Sequence, residues 1–330
     1  MRFWKIFDAA SMDFFRQRSK NLIPSVTGRR FQENCFLRRC REFIPQLAPT
    51  ENVSLARFTS FRIGGPARFF AEPRSLEELR LLIRCAQEAE LRIFVLGAGT
   101  NLLVDDEGFF GLVLRLRGTF WERYQLHLEG ITVRCGLSLR RLGRLCGENA
   151  IGGYEFCDGI PGTVGGAIFQ NAGAFGSAIG DLVEKVAVLR CDGKLLRLKP
   201  TFSYRRSSLP KGAIVVSVEL RRQDGDRECI SRRLEEMAKM RRERQPREPS
   251  AGCLFRNPPS RSAGELIELA GLKGFRVGDA QISQKHGNFA INVGSATCAD
   301  VLNLTFSVKR AVKECFKIDL GLELCYLANF

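Results

Sequence analysis

The segment from residue 160 to residue 176 constrains the fold of this chain more than any other part of the sequence. It contains five glycines, at positions 162, 165, 166, 173 and 176, and no charged side chain. Glycine loses the most conformational freedom on folding, so such a cluster needs a compensating use. The usual use is a backbone that comes close to a ligand, with N–H groups turned towards an anion. We therefore predict an anion cradle; a plain loop, the alternative, would need only one or two glycines.

A second glycine segment, residues 97–103, directly follows a short apolar run at 93–96. The run is typical of a buried strand, and the glycine turn with Thr100 resembles a phosphate loop. It is not the dinucleotide fingerprint, because a third glycine and a following helix are missing, and it lacks the lysine of a P-loop. A third segment, residues 62–67, again places two glycines where backbone could approach a ligand.

The length of 330 residues corresponds to two or three domains at about 150 residues each. No apolar run approaches the roughly 18 residues that a membrane span needs. The first ten residues are interrupted by Lys5 and Asp8, so we predict no signal peptide and no membrane association.

Twelve cysteines raise the possibility of a metal site or of disulfides, and their spacing argues against both. There is no Cys-x-x-Cys pair, and only His127 and His286 could add imidazole ligands. Most of the cysteines lie within apolar patterns, where a reduced thiol acts as a small hydrophobic group. We therefore predict no metal and a reducing, cytoplasmic location.

The net charge of +15 is compatible with more than one kind of partner. Residues 1–49 carry ten Lys or Arg against four Asp or Glu, which is typical of a solvated N-terminal arm and also of nucleic-acid binding. No zinc finger, recognition helix or RNP motif supports the second possibility. A basic protein also attracts small anions such as nucleoside diphosphates and NADPH. Charge alone does not decide between these partners.

Hydrophobic periodicity outlines the architecture. Residues 1–48 show no clear pattern, and we expect a basic, poorly ordered extension. Strands and helices alternate from about residue 50, an Asp192-Gly193 step marks a hairpin, and we place a domain boundary near residue 221. Helices are expected to begin at residue 75 and to cover 138–148, 226–244 and 298–316; strands are expected at 131–135, 213–220 and 289–293.

Polar side chains collect in loops of the last hundred residues. The loop 249–258 carries a thiol, a guanidinium and an amide, and the segment 283–289 leads into an apolar strand. Polar residues gathered in loops between ordered elements indicate a site rather than packing.

Seven segments occur in an order that resembles the UDP-N-acetylenolpyruvoylglucosamine reductase family, flavoenzymes of bacterial peptidoglycan synthesis. The resemblance covers residues 50–327. A single Lys-His-Gly-Asn-Phe segment, without the tyrosine-bearing insertion of one branch, indicates the shorter second type. The matching segments are 62–67, 96–103, 160–176, 204–207, 250–258, 285–289 and 316–324.

The resemblance implies an α+β protein with an FAD-binding fold of the PCMH and vanillyl-alcohol-oxidase type. Two subdomains over residues 49–221 would hold FAD, a C-terminal α+β domain over 222–318 would cover the substrate, and residues 319–330 would carry a catalytic glutamate. The glycine segments would bind the FAD pyrophosphate. The implied cofactor-binding residues are Arg62, Ile63, Gly64, Gly65, Leu96, Gly97, Ala98, Gly99, Thr100, Asn101, Leu102, Pro161, Gly162, Thr163, Gly165, Gly166, Asn171, Ala172 and Gly173.

The resemblance also implies a two-step reaction. NADPH would reduce FAD, and hydride would then pass to C3 of the enolpyruvyl ether of UDP-N-acetylglucosamine-enolpyruvate, leaving negative charge at C2 that needs stabilisation and a proton. Arg205 would stabilise the charge, and Glu323 would assist near the carboxylate. Cys253 stands where the family usually has a serine proton donor.

A thiol suits that role, because with an unperturbed pKa of about 8.5 it is largely protonated at neutral pH. The alternatives are a buried apolar cysteine at position 253 and a solvated glutamate at position 323.

By the same resemblance, five further residues are expected to bind the substrate: Tyr204, Ser207, Arg241, Asn257 and His286. A solvated arginine is the alternative for Arg241, and a strand cap for His286. We expect a monomer. Two other functions stay open, namely an FAD-dependent oxidoreductase with another small substrate and a basic nucleic-acid-binding protein.

Overall fold

The computed structural model describes residues 26–329 of the chain. It contains seven α-helices in this range, with short 3₁₀ turns at Leu55–Phe58, Glu155–Cys157 and Ile179–Leu182. The helices are α1 Val26–Phe43, α2 Leu76–Glu88, α3 Leu139–Glu148, α4 Val164–Gln170, α5 Arg227–Arg244, α6 Ala263–Leu269 and α7 Cys298–Phe316.

Nineteen short strands accompany these helices in the described part of the chain. They are β1 Thr50–Ser54, β2 Pro66–Ala71, β3 Arg92–Leu96, β4 Leu102–Val104, β5 Phe109–Arg115, β6 Tyr124–His127, β7 Gly130–Arg134, β8 Gly173–Ala174, β9 Ser177–Ala178, β10 Val183–Leu189, β11 Leu195–Leu198, β12 Phe202–Ser203, β13 Arg206–Ser207, β14 Ile214–Arg221, β15 Ser250–Cys253, β16 Arg276–Val277, β17 Ala280–Ile282, β18 Phe289–Asn292 and β19 Cys325–Leu327.

Helix α1 corrects our expectation that residues 1–48 are poorly ordered. Phe36 and Cys40 of this helix are buried in the main core, and the Phe36 ring lies 4.7 Å from that of Phe69. Arg39 Nε forms an ion pair with Glu88 Oε2 of α2 at 2.9 Å. The prediction is therefore wrong for residues 26–48, because a narrow apolar stripe anchors an otherwise basic helix. Residues 1–25 lie outside the described range.

The first sheet has the order β1-β2-β5-β3, with β2, β5 and β3 parallel and β1 antiparallel at the edge. Helix α2 begins after Ser75, whose hydroxyl accepts a hydrogen bond from Glu78 N at 3.1 Å. The predicted apolar face of this helix is confirmed, because Leu79, Leu82, Ile83 and Ala86 are all buried.

The second sheet is antiparallel throughout, with the order β11-β10-β14-β7-β6. The predicted hairpin is confirmed between β10 and β11, where Gly193 has a φ of +78°. Helix α3 shares the hydrophobic core with this sheet and begins at the predicted place, capped by Ser138.

A third sheet, with the order β15-β18-β17-β16, forms the C-terminal part with α6 and α7. Helix α7 has the predicted bounds, and its predicted apolar face is confirmed, because Val301, Leu304, Val308 and Val312 are fully buried. This part has its own hydrophobic core. The mixture of sheets and helices confirms the α+β class.

Two elements join these parts. Helix α5 packs against α3 and the turn Glu155–Cys157, so it lies on the region before residue 221 although our boundary places it in 222–318. Strand β19, from the terminal segment 319–330, pairs in parallel with β4 of the first part. The C-terminal end of the chain therefore returns to the neighbourhood of residues 97–104. None of the helices within 26–329 is long and apolar enough to cross a membrane.

Candidate active site

A cavity of about 1600 Å³ lies where the three sheets meet. Pockets for drug-sized ligands usually measure about 300–1,000 Å³, so this cavity has room for more than one small molecule or for a long one. Glycine segments line one side, and charged side chains line another. We call these two sides the glycine wall, formed by residues 97–102 and 160–173, and the charged wall, formed by Arg205, Arg241, Cys253, Arg256 and Glu323.

The glycine wall is shaped by close approaches of the backbone. Gly99 has a φ of +65°, and a Cβ atom there would overlap the backbone oxygen of Phe58. A Cβ atom at Gly97 would lie 2.8 Å from Thr163 Oγ1. A side chain at Gly97 would push the two segments of the wall apart, and one at Gly99 would push the first segment away from Phe58, so both positions require glycine.

The same wall presents free backbone donors to the cavity. Thr100 Oγ1 donates to the oxygen of Pro161 at 2.9 Å and joins the two segments. Among residues 26–329, the N–H groups of Gly97, Ala98 and Gly99 donate to no protein acceptor. Successive unpaired N–H groups in a concave loop are a common anion site. The wall therefore fits the pyrophosphate of FAD.

Most of the predicted cofactor-binding residues line this cavity, and residues 62–65 do not. Ile63 is buried in the core of the C-terminal part. A Cβ atom at Gly64 would lie 2.6 Å from Val104 Cβ, and one at Gly65 would overlap the backbone oxygen of Asp106. At these glycines the backbone is approached closely by other protein atoms rather than by a ligand. The sequence pattern is the same in both cases, which explains why they were predicted to bind the cofactor.

Asn171 is also placed away from the cavity lining. It ends α4 in the left-handed conformation, with a φ of +46°. Its Nδ2 donates to Ser203 O, and its Oδ1 accepts from Gly180 N, both at 2.9 Å. The side chain thus ties the end of α4 to the β12–β13 hairpin through Ser203 and to the turn Ile179–Leu182 through Gly180.

This hairpin carries Arg205 into the charged wall. Arg205 stands in the two-residue turn between β12 and β13 with a φ of +56°, a strained conformation that is often found at functional sites. Its Nη1 donates to Gly173 O at 3.2 Å, and its Nε lies 2.6 Å from Glu323 Oε1. The Nε–H does not align with this oxygen as a hydrogen bond, so the contact is an ion pair.

Strand register brings Glu323 beside Cys253. Phe255 and Leu322 form an antiparallel bridge, and Glu323 N donates to Leu254 O at 3.0 Å. On the other side, Asn101 Nδ2 donates to the backbone oxygen of Glu323 at 3.2 Å. Glu323 is therefore held between the end of strand β15, which carries Cys253, and the glycine wall.

The electrostatics of the charged wall favour a neutral thiol. The pKa of Cys253 is raised to about 12, chiefly by burial and also by the nearby Glu323 carboxylate, while Arg205 and Arg241 oppose this shift. Burial also raises the pKa of Glu323, while Arg205 and Arg256 lower it. The Cys253 thiol is thus more firmly protonated at neutral pH than an ordinary cysteine.

Arg241 lines the cavity from the last turn of α5. Burial lowers its pKa to about 10, with a smaller contribution from Arg140, so it stays cationic at neutral pH. Ser207 also lines the cavity, and its Oγ donates to Phe169 O at 2.9 Å.

The other three predicted substrate residues lie outside the cavity lining. Tyr204 is 57% exposed, and its hydroxyl accepts from Asn257 N at 3.5 Å, so both residues lie together at the rim. His286 Nδ1 accepts from Asn288 N at 3.1 Å, and burial lowers the pKa of the imidazole. These contacts favour the strand-cap alternative for His286.

Arg256 and Gln170 line the cavity close to predicted site residues but were absent from our predicted site. Arg256 lies in the loop 249–258, whose polar side chains were a sufficient signal. Gln170 accepts from Asn101 Nδ2 at 2.5 Å and donates to Cys325 Sγ at 2.7 Å, although it stands inside the glycine segment.

Comparison with known proteins identifies the family. Residues 245–327 match the family model for the C-terminal domain of UDP-N-acetylenolpyruvoylglucosamine reductase, and residues 67–199 match that of an FAD binding domain. The UDP-N-acetylenolpyruvoylglucosamine reductase 2 of Symbiobacterium thermophilum is 43% identical over 277 residues, covering 82% of this chain and 89% of the relative. The chain belongs to the UDP-N-acetylenolpyruvoylglucosamine reductase family. The reductase of Moorella thermoacetica is 44% identical over 83% of this chain and 91% of its own length.

A solved structure agrees with this assignment. The crystal structure of the Thermus caldophilus UDP-N-acetylenolpyruvylglucosamine reductase has a TM-score of 0.74 and 39% identity, covering 86% of this chain and all of that one. Membership of the reductase family confirms the predicted FAD-binding fold, the oxidoreductase class and the use of FAD and NADPH.

Proposed function

We propose that this protein reduces the enolpyruvyl group of UDP-N-acetylglucosamine-enolpyruvate with NADPH and gives UDP-N-acetylmuramate for peptidoglycan synthesis. The observation that carries the proposal is the charged wall, in which the Arg205–Glu323 ion pair and a neutral Cys253 thiol face the glycine wall across one cavity. A bacterial enzyme of this kind serves cell-wall biogenesis and, through it, cell shape and division.

The glycine wall would hold FAD through the backbone N–H groups of residues 97–99 and the segment 160–166. Bound there, FAD would supply the redox chemistry, a hydride transfer from NADPH to C3 of the substrate. The remaining steps fall to the side chains of the charged wall.

Arg205 would stabilise the negative charge that develops at C2 and on the adjoining carboxylate. Its orientation is fixed by Glu323 and by the backbone of Gly173. Glu323 would keep this guanidinium in place near the carboxylate.

Cys253 would donate the proton to C2. The C–H bond forms as the S–H bond breaks, and the thiolate left behind is stabilised by Arg205 and Arg241, the two cations that lower its pKa. Solvent then returns the proton to the thiolate.

The substrate would span the cavity from the reacting end to the rim. Arg241 and Ser207 line the cavity, and Tyr204 and Asn257 lie at its edge, so we propose these four as binding residues. We place FAD with residues 49–221 and the substrate-covering surface with residues 222–318, joined by the terminal segment that carries Glu323. We further propose a cytoplasmic monomer, because UDP-sugars and NADPH are cytoplasmic nucleotides and one chain supplies every proposed residue.

An anaerobic absorbance experiment tests the proposal. The purified protein should be yellow, lose its flavin absorbance on addition of NADPH, and regain it on addition of UDP-N-acetylglucosamine-enolpyruvate with formation of UDP-N-acetylmuramate. UDP-N-acetylglucosamine, which lacks the enolpyruvyl group, is the matched control and should leave the flavin reduced. A colourless protein, or one that only oxygen reoxidises, contradicts the proposal.

A further inference from the structure

The charged wall carries more positive than negative charge. Arg205, Arg241 and Arg256 line the same cavity, and Glu323 is the carboxylate among the wall residues. Cys253 adds no charge, because its thiol is protonated. Guanidinium groups removed from water are costly unless an anion meets them, so this side of the cavity is built for an anionic ligand.

Arg256 is the arginine of this wall that the proposed chemistry does not use. Its backbone N–H donates to Gly321 O at 2.8 Å, next to the Phe255–Leu322 bridge, so it is fixed two residues from Glu323 along the paired strand. Its Nε is buried and has no hydrogen-bond partner. Among residues 26–329, the side chain forms no ion pair either.

Two other arginines of this region, unlike Arg256, have an acidic partner within the described part of the chain. Arg261, in the same loop region, is 47% exposed and pairs with Glu265 at 3.4 Å. Arg205 is committed to Glu323 and to Gly173 O. The planar fork of N–H donors on Arg256 is therefore available to a ligand, and a carboxylate matches that fork with two parallel hydrogen bonds.

We propose that Arg256 binds the carboxylate of the enolpyruvyl substrate and thereby selects the carboxylate-bearing nucleotide sugar over one that lacks it. The proposal rests on the proposed function. It follows from the unpartnered guanidinium, its place in the cavity lining and its fixed position beside the segment that carries Glu323. Arg256 also lowers the pKa of Glu323, as expected of a cation that reaches this end of the site.

Calorimetric titration of the oxidised holoenzyme tests this assignment without turnover. UDP-N-acetylmuramate carries the product carboxylate, and UDP-N-acetylglucosamine is the same nucleotide sugar without it. In Arg256→Gln we expect binding of UDP-N-acetylmuramate to weaken about 10- to 100-fold, the range for a charge-assisted hydrogen bond, and binding of UDP-N-acetylglucosamine to stay within about twofold. Arg261→Gln is the matched control and should change neither affinity.

A second variant ensures that the test of Arg256 does not depend on Arg256→Gln alone. Arg256→Lys keeps the charge but loses the fork, so we expect the same selectivity with a smaller loss, about 3- to 10-fold. Equal weakening of both nucleotides, or no change in either, overturns the assignment of Arg256. A wild-type protein that binds neither nucleotide contradicts the proposed function instead, and flavin absorbance checks that each variant is loaded.

Discussion

The two walls of the cavity are built in opposite ways. The glycine wall uses two continuous segments, and its contacts to a ligand come from backbone N–H groups. The charged wall collects Arg205 from a hairpin, Arg241 from a helix end, Cys253 from the end of strand β15 and Glu323 from the segment before strand β19. A binding site made of backbone groups is specified by the local sequence of its own segments. A site made of side chains depends instead on how elements distant in sequence are placed against one another.

The glycine wall should fail when a side chain is added at Gly99. We expect Gly99→Ala to cost about 3 kcal/mol of stability and to abolish FAD retention, because the new Cβ atom overlaps the Phe58 oxygen in a left-handed conformation. Gly193→Ala is the control, since it has a φ of +78° with open space around it and should cost about 1 kcal/mol. Bound flavin and the melting temperature are the measurements. Similar losses in both variants would mean that strain, not close approach, governs the wall.

A substitution in the charged wall should slow only the half-reaction in which the substrate reoxidises the flavin. We expect Cys253→Ala to slow reoxidation of the flavin by substrate about 10²- to 10⁴-fold, the usual contribution of a positioned acid, and to leave its reduction by NADPH unchanged. Stopped-flow absorbance follows each half separately, and Cys253→Ser should recover part of the rate. Undiminished reoxidation would assign Cys253 to packing.

Asn171 belongs to the glycine segment in sequence but supports the charged wall in space. Asn171→Gly keeps the left-handed backbone and removes one hydrogen bond to Ser203 of the Arg205 hairpin and one to Gly180, each worth about 1 kcal/mol. We expect reoxidation by substrate to slow about tenfold with full FAD content. If FAD were lost instead, the original prediction of a cofactor-binding residue would stand.

The smallest expected effect is that of pH on the rate of flavin reoxidation by the substrate, which should hardly change between pH 7 and 9. The pKa of Cys253 is raised to about 12, so the thiol stays protonated as the pH rises from 7 to 9. Arg241, with a pKa of about 10, keeps most of its charge over this range. We expect the rate of reoxidation to change less than twofold, measured by stopped flow in buffers of constant ionic strength. A thiol with an ordinary pKa near 8.5 would lose about fourfold at pH 9.

Helices with caps and wide apolar faces could be predicted from the sequence. Helix α7 matched its predicted bounds because its buried residues recur at helical spacing behind Thr297, which caps it. Helix α1 was not predicted, because its buried residues Phe36 and Cys40 form only a narrow apolar stripe among arginines. Its burial depends on the surface of Phe69, which local periodicity does not contain.

The site was predicted unevenly for a similar reason. Glycine spacing indicates that something approaches the backbone closely, but not whether the glycine faces the open cavity, as Gly162 does, or other protein backbone, as Gly65 and Gly99 do. The nearness of Arg205 and Glu323 could be expected only from the family resemblance, since it depends on the Phe255–Leu322 register. Arg256 had no signal beyond its polar loop.

The parallel pairing of β19 with β4 has a mechanical consequence. Glu323 is attached on one side to Leu254, directly after Cys253, and on the other, through Asn101, to the glycine segment. A hinge motion that moved the C-terminal part away would have to break the hydrogen bonds between β19 and β4 and would withdraw the Glu323 carboxylate from the active site. We therefore expect nucleotides to exchange by threading through the rim past Tyr204, with the framework behind them closed.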